Sequence, residues 1–156
     1  VVLVPRLLAT SFGAADSALS VTVVVLIAAS AVLALAETSL VRMSKSRAKA
    51  LVDDGHRGAR SLRRLVEDPD AFLTPILLLV LLCQLVAATL IGVLAEHLFG
   101  TIGVVVATAC EVILIFVLGE AVPKSWAVRN ADRAALMTAP VVTAIVSFPP
   151  IKVISA

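Results

Sequence analysis

Two carboxylates set among aliphatic residues are the groups in this chain best placed to do chemistry. Glu111 interrupts an apolar run from His97 to Gly119, and Glu120 follows immediately after it. A carboxylate at the centre of an apolar layer costs on the order of 3 kcal/mol on insertion scales, so each needs a reason to be there. The two are nine residues apart. On a regular helix they point to opposite faces, about 13 Å apart along the axis, and cannot share one ion. Glu120 stands in Gly119-Glu120-Ala121-Val122-Pro123-Lys124. Pro123 has no N–H, so in a continuing helix the carbonyl of Gly119 loses its partner, and Gly119 has no side chain to cover it. A free backbone oxygen and a carboxylate then share one broken turn, a ligand set suited to a hard cation such as Mg²⁺, Ca²⁺ or Na⁺. The alternative is structural: Pro123 ends the helix and Glu120 pairs with Lys124 one turn on. Spacing leaves both open.

Glu111 reads either as a pathway or dimer-interface carboxylate or, more simply, as a protonated side chain hydrogen-bonded to a neighbouring helix. Gln84, Thr89 and Ser30 are polar residues able to join helices by hydrogen bonds. Glu96 and His97 suit an exposed turn. Cys83 and Cys110 fall inside apolar runs and read as buried thiols acting as small hydrophobes. There is no cluster of His and Cys, no Gly-rich phosphate loop and no nucleophile elbow. The sequence predicts no catalytic centre and no enzyme.

The elements that hold these residues follow from composition. Of 156 residues, 60% are hydrophobic and 15% charged, against roughly 25% charged in an ordinary soluble domain. A globule this small cannot bury so much apolar surface, which excludes a soluble enzyme domain, a disordered tail and a disulfide scaffold. The net charge of +2 gives no argument for nucleic acid. Residues 17–36 and 71–95 carry no charge, and the run from His97 to Gly119 carries only Glu111. Each is long enough to cross a hydrocarbon core of about 30 Å as a helix, and none shows the two-residue alternation of a barrel strand. The expectation is an all-α membrane protein, one domain over residues 1–156, with three transmembrane helices at about 17–36, 71–95 and 100–122. The first run exceeds the 7–15 apolar residues of a signal peptide and is expected to be retained. A fourth run, 134–151, contains Pro140, Pro149 and Pro150 and reads as a bent juxtamembrane segment within 131–156. The chain begins with Val and stops at Ala156 inside an apolar stretch, and so reads as part of a longer protein.

Between the first two spans lie eight basic residues: Arg42, Lys45, Arg47, Lys49, Arg57, Arg60, Arg63 and Arg64. Lys124, Arg129 and Arg133 follow the third, and the turn at 96–103 has none. The positive-inside rule puts the amino terminus outside and the carboxyl terminus in the cytoplasm. Within 38–66, Leu40, Val41, Ala48, Leu51 and Val52 recur at helical spacing, Asp53-Asp54-Gly55 is a stop signal, and Ala59 to Val66 forms a second short helix with Leu62 and Leu65 on one face. Two amphipathic helices lying along the cytoplasmic membrane face, a juxtamembrane belt, are expected. A solvated basic loop attracted to anionic lipid explains the charges equally well.

The stretch Ala36-Glu37-Thr38-Ser39-Leu40-Val41 before a basic helix resembles the end of the first span in the CorC/CNNM family. Leu118-Gly119-Glu120-Ala121-Val122-Pro123-Lys124-Ser125-Trp126-Ala127, with Arg129-Asn130, resembles its Gly-Glu-x-x-Pro-Lys block, and Glu67 to Leu73 fits the lead into span two. The likeness runs over roughly residues 15–150 in order and spacing. It implies a three-span DUF21 domain of the plasma membrane that forms a homodimer, belongs with haemolysin-like proteins and takes part in Mg²⁺ export coupled to Na⁺. It also implies cytoplasmic CBS domains that bind adenine nucleotides, none of which lies within these residues. Carried over position by position, Glu120, the Gly119 carbonyl and Gln84 are the implied ion ligands. A serine ligand of the family falls on Ala34 and a second amide on Ala87, with Ser30 or Ser39 as substitutes. Two functions follow. One is a Mg²⁺ transporter domain, favoured by the carboxylate beside Pro123. The other is a non-transporting membrane scaffold or sensor, favoured by Ala34 and Ala87.

Overall fold

Asp16 opens the first helix by accepting a hydrogen bond from the Gly13 N–H at 3.0 Å, satisfying an amide that the helix cannot. That helix, α1, runs over Ala14–Val41. The computed structural model describes residues 13–147, helical in every element and without a strand among them. Arg6 and the Pro149-Pro150-Ile151 end of the fourth apolar run lie outside the described residues. After α1 come α2 (Lys45–Asp53), α3 (Ala59–Glu67) and α4 (Asp70–Leu114). A widened π-helical turn at Ile115–Ala121, α5 (Val122–Arg129) and α6 (Ala131–Val146) complete the chain.

Two helical stretches, not three, are long and apolar enough to cross a membrane: Ala14–Val41 and Asp70–Arg129. The expected second and third spans merge because no loop separates them. Helical structure resumes at once on either side of Gly100, whose backbone (φ 68°, ψ −166°) lies in a region open essentially to glycine alone. That residue nevertheless folds the long stretch back on itself. Gln84 and Glu120, one on each limb, are hydrogen-bonded at 3.0 Å. By continuity the stretch is one element; in space it is two limbs side by side.

α1 packs along both limbs. Near its start Asp16 meets Nδ1 of His97 at 3.0 Å, and near its end Glu37 meets Lys124 at 3.7 Å. The 21 positions from Asp16 to Glu37 span about 31 Å on a helix, the thickness of a hydrocarbon core. Protein covers only 22% and 17% of the most apolar windows of the two stretches. Val24, Leu85, Ile102 and Phe116 are all more than half exposed. Water would penalise such a surface heavily; lipid would not. The same reasoning corrects the reading of the cysteines. Cys83 is half-buried and Cys110 exposed, both free, because their apolar runs face outward rather than into a protein core.

The protein's own core sits at the basic end, where the close of α1, α2, α3, the start of α4 and α6 converge on Leu40, Leu51, Leu62, Phe72, Ile76 and Val142. The amphipathic helices spend their apolar faces here. Ala59, Leu62, Leu65 and Val66 of α3 are buried and α3 packs on α6, so those faces are not free to enter a bilayer. The proline-bearing run is helical up to residue 146 and packs on the protein by one face. α6 continues through Pro140 and buries Ala134, Ala135, Thr138, Ala139 and Val142, a small-residue face that lets it lie close on α1 and α3.

No heavy atom lies within 4 Å of where a Cβ on Gly100 would sit. Gly100→Ala therefore strains the backbone without a clash, and is expected to lower stability by about 1–3 kcal/mol in detergent unfolding followed by helicity. An unchanged unfolding curve would contradict a reversal at this residue.

Candidate cation site

The geometry around Glu120 begins with the π-helical turn. The Val122 N–H reaches the Val117 carbonyl, an i→i+5 bond, so the helix widens where the sequence predicted a broken turn. Pro123 then sits at the start of α5, where a missing N–H is tolerated. Carried on to Pro123, the i→i+5 register would pair the missing N–H with Leu118 rather than Gly119. The wider turn also changes which residues share a face. Glu111 and Glu120, on opposite faces of a regular helix, here line one cavity of about 280 Å³ with Gln84, Ala88 and Phe116.

Glu120 is half-buried, and its Oε1 accepts a hydrogen bond from Gln84 Nε2 at 3.0 Å. Its Oε2 lies 4.0 Å from Lys124 Nζ, so the pairing one turn on is present alongside the bond to Gln84. The same ammonium is 3.7 Å from Glu37 Oε2, drawing together the two acidic motifs of the sequence. Since the Gln84 amide N–H₂ points to Glu120, its carbonyl oxygen is the atom left for a cation. Gly119 is buried at a close helix contact. A Cβ there would stand 3.2 Å from Ser30 Oγ, so the bare backbone lets the π turn approach α1. Ser30 itself is buried and donates to the Ile27 carbonyl at 2.8 Å.

Several sequence candidates take other parts. Ser39 turns away, donating to the Ala36 carbonyl at 3.1 Å and lying 3.5 Å from Thr138 on α6. Thr89 bonds its own helix at Leu85, so of Gln84, Thr89 and Ser30 only Gln84 joins two limbs by its side chain. Glu111 is buried, yet among the described residues no side chain donates a hydrogen bond to it, unlike the simpler reading of the sequence. Ala34 and Ala87 are buried and offer no ligand atom. Among the described residues no three of His, Cys, Asp and Glu converge as in a metal cluster. Sequence reasoning missed the Glu37–Lys124 contact and the Asp16–His97 pair. Both join residues more than 80 positions apart, and only the charges at the run ends hinted at them.

Comparison with known proteins gives consistent matches. The family model described as the cyclin M transmembrane N-terminal domain (CNNM) matches residues 21–155. A UPF0053 protein of Haemophilus influenzae is 28% identical over 129 residues, covering 83% of this chain and 31% of that protein. The UPF0053 inner membrane protein YfjD of Escherichia coli is 25% identical over 99 residues, 64% of this chain and 23% of its own length. A DUF21 domain-containing chloroplastic protein of Arabidopsis thaliana is 34% identical over 112 residues, 71% and 17% respectively. The chain spans less than a third of each of these relatives.

The Gln84–Glu120 bond sets a measurable coupling. A double-mutant cycle with Gln84→Leu and Glu120→Leu is expected to return about 0.5–2 kcal/mol in detergent unfolding, the range for hydrogen bonds between membrane helices. A coupling near zero would place the two limbs apart.

Proposed function

The chain belongs to the CNNM family, the cyclin M transmembrane N-terminal domain, and from that footing we propose that it is the membrane-embedded part of a divalent-cation transporter with Mg²⁺ as cargo. One observation carries the reading: a half-buried carboxylate, Glu120, stands on a π-helical turn inside a cavity between two apolar limbs, with an amide for company. Mg²⁺ keeps several of its waters and usually takes only one or two carboxylates from a protein, so a sparse site suits it. Glu120 is the principal ligand. The Gln84 oxygen and the Gly119 carbonyl assist, and Glu111 is a second carboxylate along the same cavity. An arriving cation competes with Lys124 for Glu120, and displacement of that ammonium toward Glu37 couples ion entry to the inner end of α1. Na⁺ as the coupling ion, a homodimer and CBS-type regulatory domains elsewhere in the longer protein complete the proposal. So does an orientation with the basic end in the cytoplasm.

A second reading has its own support. Ala34 and Ala87 contribute no oxygen, and Lys124 already neutralises Glu120 in part. A scaffold that anchors or senses through cytoplasmic domains needs no ion ligands and accommodates both facts.

Mg²⁺ flux into proteoliposomes carrying the longest natural form, with a Na⁺ gradient in either direction, separates the two. Transport predicts flux in the wild type, its loss in Glu120→Gln, and a Mg²⁺-dependent rise in melting temperature that Glu120→Gln abolishes. No flux and no thermal response from folded, inserted wild type would leave the scaffold. Flux that survives Glu120→Gln would move the site to Glu111.

A further inference from the structure

At the basic end, where α2, the start of α3 and the first turns of α6 meet, an open cavity of about 840 Å³ has a mixed lining. Arg57, Arg133 and His56 are its basic members; Leu136, Met137 and Pro140 are apolar. The cavity is built by a close approach. Gly58 has φ +84°, and a Cβ there would stand 2.6 Å from the Leu136 carbonyl oxygen, the one whose helical partner Pro140 lacks. At the rim Arg47 Nε donates to Asp132 Oδ2 at 3.1 Å, and this bond, then the carboxylate's charge, holds the Arg47 proton more firmly than usual. Those two charges cancel. Among the described residues neither Arg57 nor Arg133 has a carboxylate within ion-pair distance. With Asp54 as the remaining acid, the cavity is left net positive.

We propose that this cavity seats the headgroup of an anionic phospholipid, its phosphate on Arg57 and Arg133 and its glycerol and acyl carbons over Pro140 and Met137. Charge complementarity selects the phosphate, and a planar guanidinium matches phosphate oxygens in a bidentate way. The apolar part of the lining selects a lipid over a free anion. Met137 is 62% exposed and Val141 45% exposed, one turn further along the same side of α6, so the apolar strip continues out of the cavity. A basic, juxtamembrane position is where anionic lipids gather. The proposal rests on the membrane reading of the family and not on ion transport.

The test is native mass spectrometry of the longest natural form in detergent, titrated with phosphatidylglycerol or phosphatidylcholine of the same acyl chains. Phosphatidylglycerol is expected to bind about tenfold more tightly. Arg57→Ala with Arg133→Ala is expected to remove that preference, while Arg57→Lys with Arg133→Lys keeps most of it. Arg60→Ala with Arg64→Ala, which changes the separate basic hollow beside Val52, is expected to alter binding by less than about threefold. Should the double alanine variant fail to fold, Met137→Asp, at an exposed position, is expected to give the same loss. Equal loss from both arginine pairs, equal binding of the two lipids, or inorganic phosphate that protects against thermal unfolding as well as the lipid does would each overturn the proposal. Because the readout is lipid binding, its failure is distinct from a failure of Mg²⁺ flux.

Discussion

A backbone surrounded by hydrocarbon has no water to satisfy its amides and carbonyls, and this constraint governs the apolar end of the molecule. Both limbs of Asp70–Arg129 meet it by staying helical through the layer, and the reversal at Gly100 falls beyond His97, at the level of Asp16 where the layer ends. The same constraint is met at Pro123, where the π-helical turn shifts the hydrogen-bond register and the proline lands at the start of a helix. The polar site follows from these two solutions. The reversal brings Gln84 to Glu120, and the widened turn brings Glu111 onto the same cavity.

At the opposite end the constraint relaxes and ordinary packing takes over. Leu62, Ile76 and Val142 are fully buried and Phe72 nearly so, each such side chain worth about 1.5–3 kcal/mol when taken from water. This core clamps the ends of α1, α4 and α6 and fixes the height at which Glu37 and Lys124 meet. Above it the helices are held mainly by one another, with a polar contact near each end of α1: Asp16 with His97, Glu37 with Lys124.

Much of this was legible in the residues. Charge-free runs marked the apolar helices, and the Gly-Glu-x-x-Pro-Lys block marked the family and holds the carboxylate that lies against Gln84. Three features were not legible, each for a physical reason. Gly100 is one of two glycines close together in an apolar run, and nothing local says that it alone reverses the chain without a loop. A π turn has no sequence signature beyond its proline, so helical arithmetic put Glu111 and Glu120 on opposite faces. Amphipathic periodicity shows that α3 has an apolar face but not what covers it. Leu62 and Leu65 read equally well against lipid or against α6 until the tertiary packing is known.

The central claim is that Glu120, set against Gln84 by the reversal, holds a divalent cation. Anomalous scattering from crystals of the longest natural form soaked in Mn²⁺, a surrogate of Mg²⁺ with the same preference for oxygen, tests it directly. The expected result is a single peak per chain between the limbs, within about 2.0–2.6 Å of a Glu120 carboxylate oxygen. A cavity without a peak in crystals that bind Mn²⁺ elsewhere, with Lys124 still beside Glu120, would contradict it.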